Sequence, residues 1–328
     1  MPLKCGALSI LHIPTLHDPQ LICLNHRRIL LVLTERCFYT YLIKERQTNT
    51  ERTIAMKEQP FGQHPADRYI SQDQIEFYRE NGFVQVNDLL DGDELAALRE
   101  YMEESMSAKE GLSVKTGKDN AAYAKVLNQK VNTWRDHGGM ATFAFHPRFA
   151  EIALRLTGAK GIRFFHDHAL WKMPGDTNAT PWHQDSPKWP MNEDGCMSIW
   201  IALDDVDENN GCMMFVPKSH KVGKLTNISL HDPVNIFDFV QGTEIAERKP
   251  VVVPLKAGSC TFHDGLTFHY AHANKTDKPR RAYAIIYMPD GTTFNGKPHM
   301  VLDGQTYTPE EPLRGPMFPL LAKIPAQS

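Results

Sequence analysis

The sequence predicts a mainly β domain with flanking helices, arranged as a helix-supported sandwich or jelly roll. Helical spacing of apolar residues comes first in the chain and ends for the last time at Gly158. From Ile162 onward the texture changes to short β-rich pieces that Pro, Gly, Asn and Asp residues separate. There is no internal repeat and no low-complexity tract. Many short strands after leading helices are typical of sandwiches and jelly rolls.

The helices have recognisable ends. Ser71 followed by Gln74 forms a capping box, and Gly82 is expected to stop the helix that begins there. The segment FVQV then alternates as a short strand, and Asp91 or Asp93 is expected to cap a second helix. A third helix is predicted in the segment HPRFAEIALRLTG, where apolar residues repeat at helical spacing.

Six later segments combine β-branched and aromatic residues between turn signals, and each is predicted to be a strand. They are Ile162–Lys172, Ser198–Leu203, Cys212–Val216, Val251–Pro254, Ser259–His263 and Arg281–Met288.

The composition is that of an ordinary globular protein. Of 328 residues, 41% are hydrophobic and 23% charged, and 36 basic against 39 acidic residues give a net charge of −3. With no long basic run, we expect neither a nucleic acid nor a membrane as partner, and a small-molecule substrate is favoured. The six cysteines include no CxxC pair, which indicates reduced thiols and a cytoplasmic location. The sequence contains no pattern that indicates the oligomeric state.

Residues 1–55 differ in composition from the rest, because three of the six cysteines lie there beside the apolar run Ile29–Leu33. That run is too short to span a bilayer, which takes roughly 20 apolar residues. We expect residues 1–55 to be an N-terminal extension, either disordered or not natural, and the alternative that Met56 is the natural start stays open. The functional domain is predicted to occupy residues 56–328.

The segment PWHQDSPKWP places His183 and Asp185 two residues apart. If a strand continues to Asp185, both side chains point to one face while Gln184 points away, because strand side chains alternate. An imidazole and a carboxylate on one face are half of a metal site. A lone His-x-Asp pair is more often a turn aspartate beside a buried histidine, so the context decides.

That context is a second histidine cluster in FHDGLTFHYAHANKTDKPRRA, which carries His263, His269 and His272. A facial triad of two histidines and one carboxylate needs such a distant imidazole, and it leaves three positions open on iron(II). On spacing alone, any of the three could be the third ligand. Arg280 follows His269 after a turn, and its guanidinium could bind the distal carboxylate of a dicarboxylate with two parallel hydrogen bonds.

The segments WHQD, SIWIALDDVDENNGCMMFVPKSHKVG and GSCTFHDGLTFHYAHANKTDKPRRA resemble the phytanoyl-CoA dioxygenase family of iron(II)- and 2-oxoglutarate-dependent oxygenases. The similarity runs from about Ile70 to Pro289. It implies a double-stranded β-helix, a distorted, cupin-like jelly roll whose mouth holds the metal. It also implies Fe(II), the co-substrate 2-oxoglutarate and O2.

The resemblance assigns roles to particular residues. His183, Asp185 and His269 are implied as the catalytic iron ligands. The implied 2-oxoglutarate contacts are Arg280, Trp200, Lys130 and His168. The alignment is loose at Lys130, and His168 replaces a residue that is usually apolar. Where family members often carry a serine that contacts 2-oxoglutarate, this chain has Ala271.

The expected reaction is hydroxylation or desaturation of an unactivated carbon in a small metabolite, with succinate and CO2 as co-products. The substrate pocket is predicted to include His166, Lys172, Trp189 and His263. Two alternatives stay open: a zinc-dependent cupin-like hydrolase or isomerase, since zinc accepts the same ligands, and a non-catalytic 2-oxoglutarate-binding protein. Arg280 together with Trp200 argues against the zinc enzyme, which has no need of them.

Overall fold

The computed structural model describes residues 66–108, 111–115, 128–175, 179–229 and 234–324, together with the backbone of four strands between residues 20 and 55. The chain divides into two units, Met1–Met56 and Lys57–Ser328. In the first unit, the strands β1 to β4 form an antiparallel sheet in chain order. Their bounds are Gln20–Leu24, Arg27–Leu33, Tyr39–Lys44 and Glu51–Ala55. Whether residues 1–55 are an extension foreign to the natural protein stays a prediction.

Four helices of the second unit are described, and the predicted caps are present. In α1, Gln72–Asn81, the capping box joins Ser71 and Gln74, and Gly82 ends the helix at φ 83°. Asp91 rather than Asp93 caps α2, through a second capping box. The bounds of the other helices are Gly92–Ser107 for α2, Gly138–Ala144 for α3 and Pro147–Thr157 for α4. Gly158 ends α4 in the left-handed conformation, as predicted.

The larger of two facing antiparallel sheets, the major sheet, has eight strands among the described residues, in the order β5-β13-β10-β15-β8-β7-β6, with β16 added to β8. Their bounds are Phe83–Val86 (β5), Val114–Lys115 (β6), Asn128–Val131 (β7), Gly161–Lys172 (β8), Met197–Ala202 (β10), Cys260–Asp264 (β13), Arg280–Pro289 (β15) and Leu320–Lys323 (β16). The second unit is thus mainly β with flanking helices, and the predicted fold class is confirmed.

The smaller sheet, the minor sheet, has the order β12-β11-β14-β9. Its strands are Val251–Val253 (β12), Met213–Phe215 (β11), His269–Ala271 (β14) and Thr180–His183 (β9). Apolar side chains of the two sheets pack together in a shared cluster that includes Phe83, Trp200, Phe215 and Val253. The two sheets therefore enclose one interior, and the functional groups described below line it.

All six strands predicted after residue 160 are present, within two residues at each end. In the second unit, the sequence patterns did not predict α3, β6, β7, β14 or β16. Four of these five elements have only two to four residues, too few to display a period. Within the described residues, no helix is long and apolar enough to cross a membrane.

Asp167 occupies the outward face of β8 and is fully buried. Its carboxylate accepts hydrogen bonds from the hydroxyls of Thr133 and Tyr283. Burial raises the pKa of Asp167 to about 6 in spite of these bonds. The folded state therefore binds the proton more tightly than the unfolded chain, and this contribution to stability is lost as the pH rises through about 6.

We predict that Asp167→Asn makes stability less sensitive to pH. Asparagine still accepts both hydroxyl hydrogens but has no charge to bury. Between pH 5 and 7.5 the variant should gain about 1–2 kcal/mol relative to the wild type in urea unfolding. The matched control is Asp277→Asn, at an exposed aspartate in a turn. Parallel pH profiles for wild type and Asp167→Asn would contradict this account.

Candidate active site

His183 and Asp185 lie at the end of β9, and the expectation that one strand carries both is wrong. The strand stops at His183, and Asp185 has helical backbone angles (φ −84°, ψ −43°) at the start of a 3-10 turn. The Gly265 carbonyl fixes this turn by accepting the amide hydrogens of Asp185 at 2.9 Å and Ser186 at 2.8 Å. A turn, rather than strand alternation, thus brings the carboxylate beside the imidazole.

Gln184, between the two, points away from the site as expected. It is buried, and its amide donates to the carbonyls of Gly223 at 2.9 Å and Leu266 at 2.8 Å. Gly265 must be glycine for a steric reason, since a Cβ there would lie 2.4 Å from the Trp189 ring. These contacts hold the turn that carries Asp185.

His269 joins the pair because β14 lies beside β9. The two strands pair with His269 opposite His183, and the two imidazole ring centres are 4.1 Å apart. Asp185 Oδ1 lies 3.3 Å from His183 Nε2 and 3.7 Å from His269 Nε2. One ligand atom from each of the three residues falls within 4.8 Å of the other two. Among the described residues, this is the group of histidines and carboxylates that could hold a metal ion.

Backbone carbonyls set the orientation of both imidazoles. His183 Nδ1 is 2.7 Å from the Pro181 carbonyl oxygen, and His269 Nδ1 is 2.9 Å from that of Thr267. A carbonyl only accepts, so each Nδ1 carries the proton and each Nε2 keeps its lone pair. Metal-binding histidines are commonly fixed in this way by their second nitrogen. Both lone pairs therefore meet beside the Asp185 carboxylate.

The charges of the three groups suit a cation. Burial lowers the pKa of His183 and of His269, so both imidazoles are neutral ligands at neutral pH. Burial alone would raise the pKa of Asp185, but the adjacent imidazoles of His269, His183 and His263 hold it well below its usual value. A carboxylate and two neutral imidazoles on one side of a cavity are the donor set of a non-haem iron(II) facial triad. The residues present fit that metal.

His263 is not part of this group, although spacing alone allowed it as a ligand. Its Nε2 lies 3.7 Å from Asp185 Oδ2, the oxygen that faces away from the two other imidazoles. The Ser198 hydroxyl lies 3.4 Å from the same oxygen. The Ser198 hydroxyl donates to Oδ2 and the His263 ring lies beside the same oxygen, which leaves Oδ1 for the metal, so both residues are placed to position the carboxylate. The other candidate, His272, lies outside the cavity-lining residues.

We predict that His263→Leu weakens iron(II) binding by about 10- to 100-fold, as is usual when the partner of a metal ligand is lost. His263→Gln, which keeps an N–H donor, should recover most of the affinity. Iron(II) titration under anaerobic conditions measures both values, and thermal unfolding shows whether the variants fold. Unchanged iron affinity in a folded His263→Leu protein would exclude the positioning role.

The triad opens into a cavity of about 250 Å³ between the two sheets. The register of the major sheet arranges its inward side chains in cross-strand rows. One row runs His263, Ser198, Ile286, His166, and the next runs Thr261, Trp200, Ala284, His168. The rows place the groups of the site at fixed steps along the strands.

Arg280 begins β15 and is 3% exposed, and its guanidinium lies 5.2 Å from the centre of the Trp200 ring. Both residues line the same cavity as the triad. A stacked guanidinium offers a planar fork to a carboxylate and keeps its orientation, which a lysine would not. The cavity thus has a metal site at one place and a carboxylate-binding group at another.

Two of the predicted lysines do not line the cavity. Lys130 lies on the outward face of β7, where its ammonium donates to the Ser105 carbonyl at 2.7 Å. Because strand side chains alternate, its neighbours Gln129 and Val131 face the cavity instead. The structure therefore does not place Lys130 where it could contact a co-substrate in this cavity. Lys172 is fully buried and donates to the His272 carbonyl at 2.6 Å, so it does not reach the pocket either.

The other predicted residues do line the cavity: His166, His168, Trp189, Trp200, His263 and Arg280. So does Ala271, where the family's serine is absent. Further residues line the cavity without a role predicted from the sequence, among them Gln129, Lys188, Ser198 and His299. Strand alternation next to Lys130 could have indicated Gln129. No pattern in the sequence indicates His299, because it reaches the cavity from an irregular segment after β15.

Comparison with known proteins agrees with this geometry. The profile of the family described as phytanoyl-CoA dioxygenase (PhyH) matches residues 78–282. The chain belongs to the phytanoyl-CoA dioxygenase family. It is 29% identical over 232 residues to the dioxygenase lolE1 of Epichloe uncinata, covering 68% of this chain and 84% of that protein. It is 25% identical over 251 residues to phytanoyl-CoA dioxygenase of Arabidopsis thaliana, covering 66% and 88%.

Solved structures of similar proteins have the same fold as this phytanoyl-CoA dioxygenase family member. The α-ketoglutarate-dependent epimerase SnoN, in complex with Fe3+, α-ketoglutarate and nogalamycin RO, matches at 30% identity and a TM-score of 0.66. That match covers 76% of this chain and 98% of SnoN. EctD from S. alaskensis, at 20% identity and a TM-score of 0.59, shares the fold. The protein is a 2-oxoglutarate-dependent dioxygenase that uses Fe(II), 2-oxoglutarate and O2, and the predicted family, enzyme class and cofactors are confirmed.

Proposed function

We propose that this enzyme oxidises an unactivated carbon of a small-molecule metabolite, by hydroxylation or desaturation, and releases succinate and CO2. The observation that carries the proposal is the stacked Arg280–Trp200 pair in the same cavity as the His183, Asp185 and His269 group. Iron(II) with 2-oxoglutarate and dioxygen supplies an oxidant able to take hydrogen from such a carbon.

The residues of the chain have separate tasks in this proposal. His183, Asp185 and His269 would hold the iron, and a triad of this kind leaves positions free for other ligands. Arg280 binds the distal carboxylate of 2-oxoglutarate and Trp200 flanks it. His183 and His269 are buried, which limits the access of bulk water to this side of the cavity and so limits side reactions. A zinc hydrolase would use the triad but has no task for a guanidinium stacked in the cavity.

A small substrate suits the size of the cavity, about 250 Å³. Two structurally similar proteins are named as an epimerase and a carbocyclase of nogalamycin biosynthesis. Similar enzymes therefore differ in what they act on. We propose a cytoplasmic location, which is supported by the buried free thiols of Cys196, Cys212 and Cys260.

The test is anaerobic reconstitution with iron(II) and 2-oxoglutarate, followed by oxygen and a panel of metabolites. We expect a visible absorption band from the iron–2-oxoglutarate complex and substrate-stimulated succinate release. His269→Ala serves as the blank and should show neither. A wild-type protein without the band and without succinate release over the whole panel would rule out the oxygenase function.

A further inference from the structure

Three histidines form one wall of the cavity beyond the metal ligands. His166 and His168 come from β8, and their ring centres are 4.5 Å apart. His299 comes from the segment after β15, and its ring centre lies 5.7 Å from that of His166. All three line the cavity. The resemblance implies a 2-oxoglutarate contact for His168, His166 was predicted in the substrate pocket, and His299 has no predicted role. We call these three residues the histidine wall.

Hydrogen bonds fix the tautomers of two of these imidazoles. The side-chain amide nitrogen of Gln129 lies 2.9 Å from His168 Nδ1, and an amide NH2 group only donates. His168 Nδ1 is therefore the acceptor and its proton is on Nε2. In the same way, the Val301 backbone N–H donates to His299 Nδ1 at 3.3 Å, which places the proton of His299 on Nε2. Each ring thus keeps one N–H for another partner.

Burial keeps these rings neutral. It lowers the pKa of His168 and of His299 to about 4, so neither is charged at neutral pH. His166 is 2% exposed, and its Nδ1 has no hydrogen-bond partner among the described residues. An unmatched buried polar atom costs about 1–3 kcal/mol, so such atoms commonly mark the position of a ligand group.

The charge at this end of the cavity is positive. Lys188 ends the 3-10 turn after Asp185 and lines the cavity near His168. When iron(II) and the 2-oxoglutarate dianion are bound, their charges and those of Asp185 and Arg280 cancel. The ammonium of Lys188, which lies 3.9 Å from Asp185 Oδ1, then carries the one positive charge that these groups do not offset. Of the described residues that line the cavity, Asp185 supplies the carboxylate, and the metal occupies it.

The strand register separates this wall from the co-substrate anchor. In the pairing of β15 with β8, Arg280 is opposite Lys172 and Ile286 is opposite His166. Six residues of strand correspond to about 20 Å. A 2-oxoglutarate molecule that spans from the metal to the Arg280 guanidinium therefore extends away from His166, and from His299, whose ring lies beside that of His166. His168 lies in the cross-strand row of Trp200 and so borders the co-substrate as well, while His166 and His299 face the space that remains for the substrate.

We propose that the histidine wall and Lys188 bind a carboxylate group of the substrate, which makes the substrate class a small organic acid. The inference rests on the proposed function, because it assigns the wall to the substrate of that reaction. Two imidazole N–H donors and an ammonium complement the oxygens of an anion, and His166 Nδ1 gains a partner. An amide or alcohol in the same place would add no negative charge to offset the Lys188 ammonium once the Asp185 carboxylate, its partner at 3.9 Å, holds the metal.

The test compares acids with their primary amides. The probes are 3-phenylpropanoate, octanoate and their amides, titrated by calorimetry against protein loaded with Mn(II) and 2-oxoglutarate, which binds without turnover. We expect at least one acid to bind about 10-fold more tightly than its amide, since hydrogen bonds to charged groups are the stronger ones. Lys188→Met and His168→Leu should reduce this preference to near unity.

Matched variants separate the loss of a hydrogen-bond donor or a charge from other effects of the substitutions. His168→Gln keeps an N–H donor and should retain the preference, and Lys256→Met removes an exposed lysine outside the cavity and should not change it. His299→Leu also removes the cap of the turn at Met300–Leu302, so His299→Asn, which can still cap but is too short to reach the anion, is measured beside it. Both His299 variants should lose the preference for the acid over its amide.

The proposal is overturned if no acid binds more tightly than its amide while Mn(II) and 2-oxoglutarate bind normally; the proposed function then survives. It is also overturned if His168→Leu and Lys188→Met mainly weaken the binding of 2-oxoglutarate, because the wall would then bind the co-substrate rather than the substrate. Failure of the wild type to bind metal and 2-oxoglutarate would remove the proposed function and this inference with it.

Discussion

Asp185→Ala is expected to abolish iron(II) binding and all 2-oxoglutarate turnover. Asp185 Oδ1 is the point on which the Nε2 atoms of His183 and His269 converge, and it supplies the negative charge of the group. Loss of a partner outside the ligand shell costs about 10- to 100-fold in metal affinity, so loss of a ligand should exceed about 100-fold. Anaerobic iron(II) titration and succinate release measure the two effects.

Two further variants make this result specific. Asp185→Asn keeps the shape of the side chain but not the charge, and it should lose iron binding almost as completely. Asp194→Ala removes an exposed carboxylate that pairs with Lys224 at 3.2 Å, and it should leave iron binding unchanged. If Asp185→Ala still bound iron within a few-fold of the wild type, the metal would have to sit elsewhere.

Arg280→Lys should raise the KM for 2-oxoglutarate by about 10- to 100-fold with little effect on iron affinity. Lysine keeps the charge but cannot form two parallel hydrogen bonds or stack on Trp200 as a planar fork. One charge-assisted hydrogen bond is worth about 1.5–3 kcal/mol, and 1.4 kcal/mol corresponds to a factor of ten. The measurements are the KM and the dissociation constant of 2-oxoglutarate.

The next residue provides a matched control. Arg281 points to the other side of β15 and pairs with Asp204 at 2.7 Å and Glu103 at 2.6 Å. Arg281→Lys disturbs an arginine of the same strand outside the cavity, so it should not change the KM for 2-oxoglutarate. Equal effects of the two substitutions would show that Arg280 acts on the strand rather than on the co-substrate.

Much of the fold was predictable from local patterns. The capping boxes at Ser71 and Asp91, the stops at Gly82 and Gly158, and the six strands predicted after residue 160 depend on residues close in sequence. Such features have the same physical basis in a peptide as in a fold. The short strands β9 and β14 carry two of the metal-site residues, and their few residues display no period of their own.

The candidate site divides in the same way. Residue chemistry in the segments around Asp185 and Arg280 indicated a triad and a carboxylate anchor, and resemblance to a family selected His269 from three histidines. The pairing of β14 with β9 decides that convergence in space, and the turn held by Gly265 decides how Asp185 faces the imidazoles. Neither contact is local in sequence.

By itself, the sequence determined the fold class, the family, the cofactors and the residue types of the site. Only the tertiary structure decided that Gln129 rather than Lys130 faces the cavity, that His263 holds the far oxygen of Asp185, and that His299 completes a histidine wall. The physical reason is that side-chain direction depends on strand register. Register is fixed by partners far along the chain, and a shift of one residue turns every side chain to the other face.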